Sequence, residues 1–128
     1  MSESLNKMVC FYGLDGDRIE SAIEAYLIKG EIDALHSLSE LITSTLEEIA
    51  QKVKDKGGKV IYCAGDNILF HGQFTNRWCQ EMIDLFHTRT GQTASIGIGD
   101  TTAEFYLALK LAKSLGGGQV IYYKSSYT

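Results

Sequence analysis

Two short runs rich in β-branched and aromatic residues, Val60-Ile61-Tyr62-Cys63-Ala64 and Ile68-Leu69-Phe70-His71, flank the triplet Gly65-Asp66-Asn67. A link this short, made of residues that tolerate tight turns, predicts a β-hairpin from about Lys59 to His71. The hairpin carries an acidic side chain, Asp66, at its tip. An earlier apolar run, Met8 to Leu14, also ends in an acidic turn, Asp15-Gly16-Asp17. Aspartate is a good turn former in its own right. Two carboxylate-bearing strand ends in one small chain nevertheless point to a divalent-cation site.

The remaining pattern says what surrounds these turns. Met8–Leu14 predicts a first strand. Ile19, Ile23, Tyr26 and Leu27 then recur at helical spacing, and Gly30 closes that helix. Glu31–Lys56 predicts a long amphipathic helix, with room for a break near its beginning. Its apolar stripe runs through Ile32, Leu35, Leu38, Leu41, Ile42, Leu46, Ile49 and Val53, and Lys52, Lys54 and Lys56 suit its C-terminal dipole. After the hairpin, Phe74–Thr90 predicts a helix through Trp78, Met82, Leu85 and Phe86. Thr93–Gly99 predicts a strand whose two glycines permit close approach by another backbone or a ligand. Asp100, Thr101 or Thr102 can cap the next helix, which carries Phe105, Leu107, Leu109, Leu111 and Leu115. Gly116-Gly117-Gly118 stops it, and Gln119–Tyr123 predicts a last strand before a short polar tail.

The order is therefore β-α-α-β-β-α-β-α-β. Without one helix of the αα pair, the closing helix and the last strand it reduces to βαββαβ, an α+β ferredoxin-like plan. At 128 residues the chain can form one domain, 1–128, with a real hydrophobic core. No apolar run reaches the roughly 18–20 residues needed to cross a bilayer. The N-terminus lacks the basic and apolar blocks of a secretion signal, so a cytoplasmic protein without membrane insertion is expected. The net charge of −4, with no basic block, argues against broad binding to duplex nucleic acid. Cys10, Cys63 and Cys79 lack metal-type spacing and read as buried thiols in a reducing compartment.

In a ferredoxin-like sheet the first strand lies antiparallel to the third. That topology brings Asp15 beside Asp66 although the two are far apart in sequence. Two carboxylates at close range repel by about 1 kcal/mol in water and by several when desolvated. A bound cation relieves the conflict, and oxygen-only ligation favours Mg²⁺ or Mn²⁺ over zinc. Such an ion leaves positions for water and substrate phosphates. His71 follows the hairpin strand and reads as a surface or structural histidine.

Leu14-Asp15-Gly16-Asp17, followed by a helix, resembles the first metal-binding motif of palm-domain nucleotide cyclases and polymerases. Ala64-Gly65-Asp66-Asn67 resembles their GGDD or GGDEF hairpin. Ser95–Gly99, Ala108–Lys113 and Gly116–Val120 are similar to the closing segment of GGDEF domains. The resemblance runs in order along almost the whole chain. Its short length is most similar to the minimal CRISPR polymerase family, stand-alone relatives of the palm in CRISPR effector complexes.

The resemblance implies a ferredoxin-like palm. Asp15 and Asp66 would be the catalytic acids and metal ligands, with the backbone carbonyl of Gly16 assisting. Asp17 would hold a second metal or order its turn. Arg18, Gly65, Asn67 and Ser39 would lie at the nucleotide, with Ser37 beside Ser39. Lys113 would reach the triphosphate. The Gly16–Arg18 backbone, opening a helix, could receive phosphate oxygens. Ala64 replaces the first glycine of GGDD and Asn67 the following acid, which weakens a two-metal arrangement. Ile23 and Ile32 fall near the positions that read guanine in GGDEF domains, so ATP is favoured over GTP as substrate. The implied activity joins nucleoside triphosphates into a cyclic dinucleotide or small cyclic oligonucleotide, such as cyclic di-AMP. It implies a homodimer and an antiviral signal sensed by a separately encoded effector. The alternatives are a GTP cyclohydrolase III-like hydrolase and a catalytically silent nucleotide-binding module.

Overall fold

The computed structural model describes residues 9–125. Strand β1 spans Cys10–Gly16, followed by helices α1 (Ile19–Lys29) and α2 (Ile32–Asp55) and the hairpin β2 (Lys59–Ala64) and β3 (Asn67–Gly72). Helix α3 (Asn76–Thr90), strand β4 (Ala94–Gly99), helix α4 (Thr102–Ser114) and strand β5 (Val120–Tyr122) complete the order expected from sequence. The sheet runs β2-β3-β1-β4-β5. β1 lies antiparallel to both β3 and β4, and β5 runs parallel to β4. The α+β, ferredoxin-like βαββαβ core has two helices, α1 and α2, in its first crossover and carries α4 and β5 as an additional one.

Strand alternation divides the helices between the two faces. Tyr12, Leu14 and Phe70 enter the main core beneath α2 and α3, together with Leu46, Ile49, Phe86 and Ile96. The Tyr12 ring stacks on Phe70 at 5.3 Å and meets Phe74 edge-on at 5.1 Å. Its hydroxyl donates to the Phe74 carbonyl at 3.0 Å and accepts from the Phe74 N–H at 2.9 Å, so the buried phenol leaves no polar atom unsatisfied. Gly13, on the opposite face of β1, lies under the Phe105 ring of α4. Thr75 and Thr101 cap α3 and α4, accepting from the N–H groups of Trp78 and Glu104.

Three expectations change. Asp15 and Gly16 belong to β1 rather than to a turn, because Asp15 pairs with Asn67 on one side and Ser95 on the other. Met8, the expected start of that strand, and residues 126–128 of the expected tail lie outside the described residues. Helix α2 is unbroken; the break falls before it, at Gly30, whose left-handed φ of 70° ends α1. Cys10 and Cys79 are buried, but Cys63 is exposed because β2 is the sheet's edge strand.

The apolar residues of α4 divide between two faces. Leu107, Leu111 and Leu115 are exposed, while Phe105, Ala108 and Ala112 are buried. A Cβ at Gly97 would sit 2.5 Å from the Leu109 backbone nitrogen, so α4 packs backbone-close on β4. Such an approach requires glycine below and alanine above, which turns the larger side chains outward.

Candidate active site

Strand register builds the site. Asp15 reaches the end of β1 opposite Asn67, and the Gly65-Asp66 turn closes the same end of the sheet. Gly65 takes a left-handed φ of 59°, as a two-residue hairpin turn requires. The Gly16 N–H donates to the Asp66 carbonyl at 3.0 Å, tying the two acidic strand ends together. The approach of Asp15 and Asp66 expected from topology is therefore present.

A cleft of about 790 Å³ opens between this sheet end and helices α1 and α2. Its polar part comes from Asp15, Gly16, Gly65, Asp66, Asn67 and Lys113, and from Arg18, Glu20 and Ser21 at the start of α1. Ile23, Leu35, Leu38 and Ile42 supply an apolar part in which Ser39 and Thr43 are the hydroxyl groups. Of the candidate site residues singled out from sequence, Asp17, Ser37, Ile32 and His71 stay outside this lining. Ser37 borders an adjoining depression with Glu40 and Glu47, which shares Ser39 and Thr43 with the cleft. Ile32 is exposed, whereas Ile23 lines the cleft. His71 packs on the Phe11 ring, with centroids 4.5 Å apart. Sequence reasoning missed Thr43; the signal was its i+4 spacing from Ser39, which puts both hydroxyls on one face of α2.

The electrostatics favour a cation. Burial pushes the Asp15 carboxyl above its usual range; Lys113 pulls it back, and the Asp66 charge adds to the rise. The Asn67 Oδ1 is buried and has no hydrogen-bond partner. An unmet buried acceptor costs about 1–3 kcal/mol, which a hard cation would recover. Two carboxylates and an amide oxygen therefore fit Mg²⁺ or Mn²⁺. Among the described residues, no group of three or more His, Cys, Asp or Glu side chains forms a metal cage. A two-carboxylate site suits Mg²⁺, which keeps waters and substrate phosphates among its ligands.

Asp17 turns away from the cleft. It is 4% exposed, and its carboxylate is filled by protein donors. Oδ1 accepts from Ser95 Oγ at 2.8 Å and from Lys113 Nζ at 2.7 Å; Oδ2 accepts from Thr93 Oγ1 at 2.7 Å and the Gly118 N–H at 2.8 Å. Burial alone would raise this carboxyl, but the bonds from Lys113, Thr93 and Ser95 outweigh it and hold it below its usual range. With its lone pairs taken, Asp17 orders the turn instead of holding a second metal.

The backbone of this turn is also committed. The Gly16 and Asp17 N–H groups bond the Asp66 and Thr93 carbonyls, and the Gly16 carbonyl accepts from Lys113. Capacity for phosphate oxygens shifts one step along, to Arg18 and the first turn of α1, where no side chain caps the helix. Arg18 adopts φ 55° and ψ 29°, the one left-handed non-glycine residue among those described. This strained geometry turns the chain sharply from β1 into α1 at the cleft.

The fold is similar to that of solved structures. The GGDEF domain of DgcB from Caulobacter crescentus, solved in complex with c-di-GMP, aligns over 94% of this chain and 86% of that one, at 10% identity and a TM-score of 0.58. The diguanylate cyclase SiaD from Pseudomonas aeruginosa, solved with its activator SiaC, aligns over 94% of this chain at 15% identity and a TM-score of 0.53. This chain spans 55% of the length of SiaD. No curated protein matches. Fold and site together define a palm domain of the nucleotide cyclase and polymerase kind. Residues 11–123 match the family described as the minimal CRISPR polymerase domain, and the chain belongs to that family. Among the described residues, no helix is long and apolar enough to cross a membrane.

Proposed function

We propose that the protein is a metal-dependent nucleotidyltransferase that joins two nucleoside triphosphates, ATP in preference to GTP, into a cyclic dinucleotide. The observation that carries the reading is the cleft, which sets Asp15, Asp66 and the unpartnered Asn67 Oδ1 beside an apolar pocket wall. Its lining holds three acids, Asp15, Glu20 and Asp66, against two bases, Arg18 and Lys113. That excess repels a bare triphosphate and favours one that arrives with a cation.

Asp15, Asp66 and Asn67 would hold Mg²⁺ or Mn²⁺, which supplies charge neutralisation at the transferring phosphoryl group. The start of α1, with Arg18, would receive phosphate oxygens. Ile23, Leu35, Leu38 and Ile42 would enclose the base and exclude water. Ser39 and Thr43 offer hydroxyls that donate or accept, with no carboxylate in the apolar part of the lining to match guanine's donor edge, and this supports adenine. In the reaction, a ribose hydroxyl of one nucleotide attacks the α-phosphorus of the other, an O–P bond forms, and pyrophosphate and a proton leave. Closing a dinucleotide ring repeats the step, so two clefts of a homodimer would face one another. Family membership further supports a role for the product as a defence signal read by a separate effector.

The test is incubation with ATP or GTP and Mg²⁺. Cyclic product supports the proposal. Ring-opened GTP would indicate a cyclohydrolase, and tight binding without turnover would indicate the silent module that Asn67 makes conceivable. Asp66→Ala should abolish product while the protein stays folded.

A further inference from the structure

We infer that the corner joining α1 to α2 is the surface on which a second copy of this chain docks, so that two clefts open onto one seam. The inference rests on the nucleotidyltransferase reading above, which needs two nucleotides for each product. Ile23 on α1 and Leu35 on α2 line the cleft. Each apolar stripe continues one turn past the cleft, to Leu27 four residues after Ile23 and to Ile32 three residues before Leu35. There the side chains turn to solvent: Leu27 is 61% exposed, Ile28 85% and Ile32 73%. A tight turn keeps the three together. The Gly30 N–H bonds the Leu27 carbonyl at 3.2 Å and the Glu31 N–H the Tyr26 carbonyl at 2.9 Å. Large aliphatic side chains clustered in the open mark a contact surface.

The charges around the patch select its occupant. Lys29 lies on one side of Gly30, Glu31 and Asp33 on the other, and all three are exposed. Among the described residues, none of them enters a salt bridge. A two-fold contact is isologous: whatever one copy offers, the other returns. Half a turn about the corner therefore sets Lys29 of one copy against the partner's Glu31 and the partner's Asp33, twice, around an apolar centre. An unrelated partner would have to match that bipolar ring, whereas a copy of the chain already does. The same axis keeps both cleft mouths, one helical turn or about 5 Å away, beside the seam. Even an aromatic side chain buries only about 150–250 Å². Three aliphatic ones thus fall short of the roughly 800 Å² per partner of a stable interface. The free protein should associate weakly, and nucleotides bridging the seam should tighten it.

Sedimentation velocity over a dilution series, with and without α,β-methylene ATP and Mg²⁺, tests this on the whole chain beside a product assay with ATP. The unaltered protein should dimerise, and more tightly with the analogue. Ile28→Glu changes a side chain outside the cleft lining and 85% exposed, so it should keep its Tm. It should raise the dimer dissociation constant by about tenfold or more and lower specific activity in dilute protein. Lys29→Glu and Glu31→Lys should each weaken self-association, and an equimolar mixture of the two should dimerise more tightly than either alone, because only the mixed pair sets opposite charges together. A mixture no tighter than its components would overturn the inference, as would an unaltered protein that stays monomeric with and without the analogue, or an Ile28→Glu that dimerises unchanged. Dimers lost on Ile28→Glu, with no cyclic product from any variant, would uphold the corner while the nucleotidyltransferase reading fell. Product formed at a rate indifferent to Ile28→Glu and to dilution would uphold that reading and overturn the corner.

Discussion

Asp15 and Asp17 stand two residues apart and titrate in opposite directions. Asp15 is raised by burial and by Asp66. The folded state therefore favours its protonated form, and stability is lost as pH rises from the ordinary carboxylate value through the raised one. In metal-free protein at neutral pH, Asp15→Asn should raise Tm while removing activity, which a thermal scan and a product assay would check together. Asp17 is held low, so its stabilisation is present above about pH 3.9 and lost as pH falls through its folded value. Asp17→Asn turns an amide toward four donors and should cost about 3 kcal/mol in equilibrium unfolding. The nearness of Asp15 and Asp66 was legible because strand order alone implies it. The inward turn of Asp17 was not, since its partners Thr93, Ser95 and Gly118 lie 76, 78 and 101 residues away.

At the scale of elements, periodicity located every helix and strand but left open which face α4 buries. Hydrophobicity favours Leu107, Leu111 and Leu115, whereas contact at backbone distance over Gly97 and Gly99 selects Ala108 and Ala112. Only the pairing of two elements reveals that preference. Gly97→Ala should therefore destabilise the fold by about 3 kcal/mol, because the obstructing atoms belong to the α4 backbone and cannot rotate away. Gly91→Ala, at φ 75° with open space around it, should cost about 1 kcal/mol. Paired denaturation curves would show the difference. The exposure of Cys63 has a similar origin: its strand pattern is apolar, yet β2 lies at the sheet edge with its outer side unpaired.

The molecule as a whole concentrates its chemistry at one end of the sheet, where the hairpin tip, the exit of β1 and the C-terminal turn of α4 converge. On the proposed reaction, a product built from two nucleotides would make activity depend on two such clefts meeting. Specific activity should rise with protein concentration and level off once dimers form, as a dilution series would show. The central claim is that this cleft performs nucleotidyl transfer with Asp66 as an essential acid. Mass spectrometry of products from a mixture of all four nucleoside triphosphates with Mg²⁺ tests it most directly. A cyclic dinucleotide containing adenine, absent from the folded Asp66→Ala variant, is the predicted result; no cyclic product, or the same product from Asp66→Ala, would contradict it.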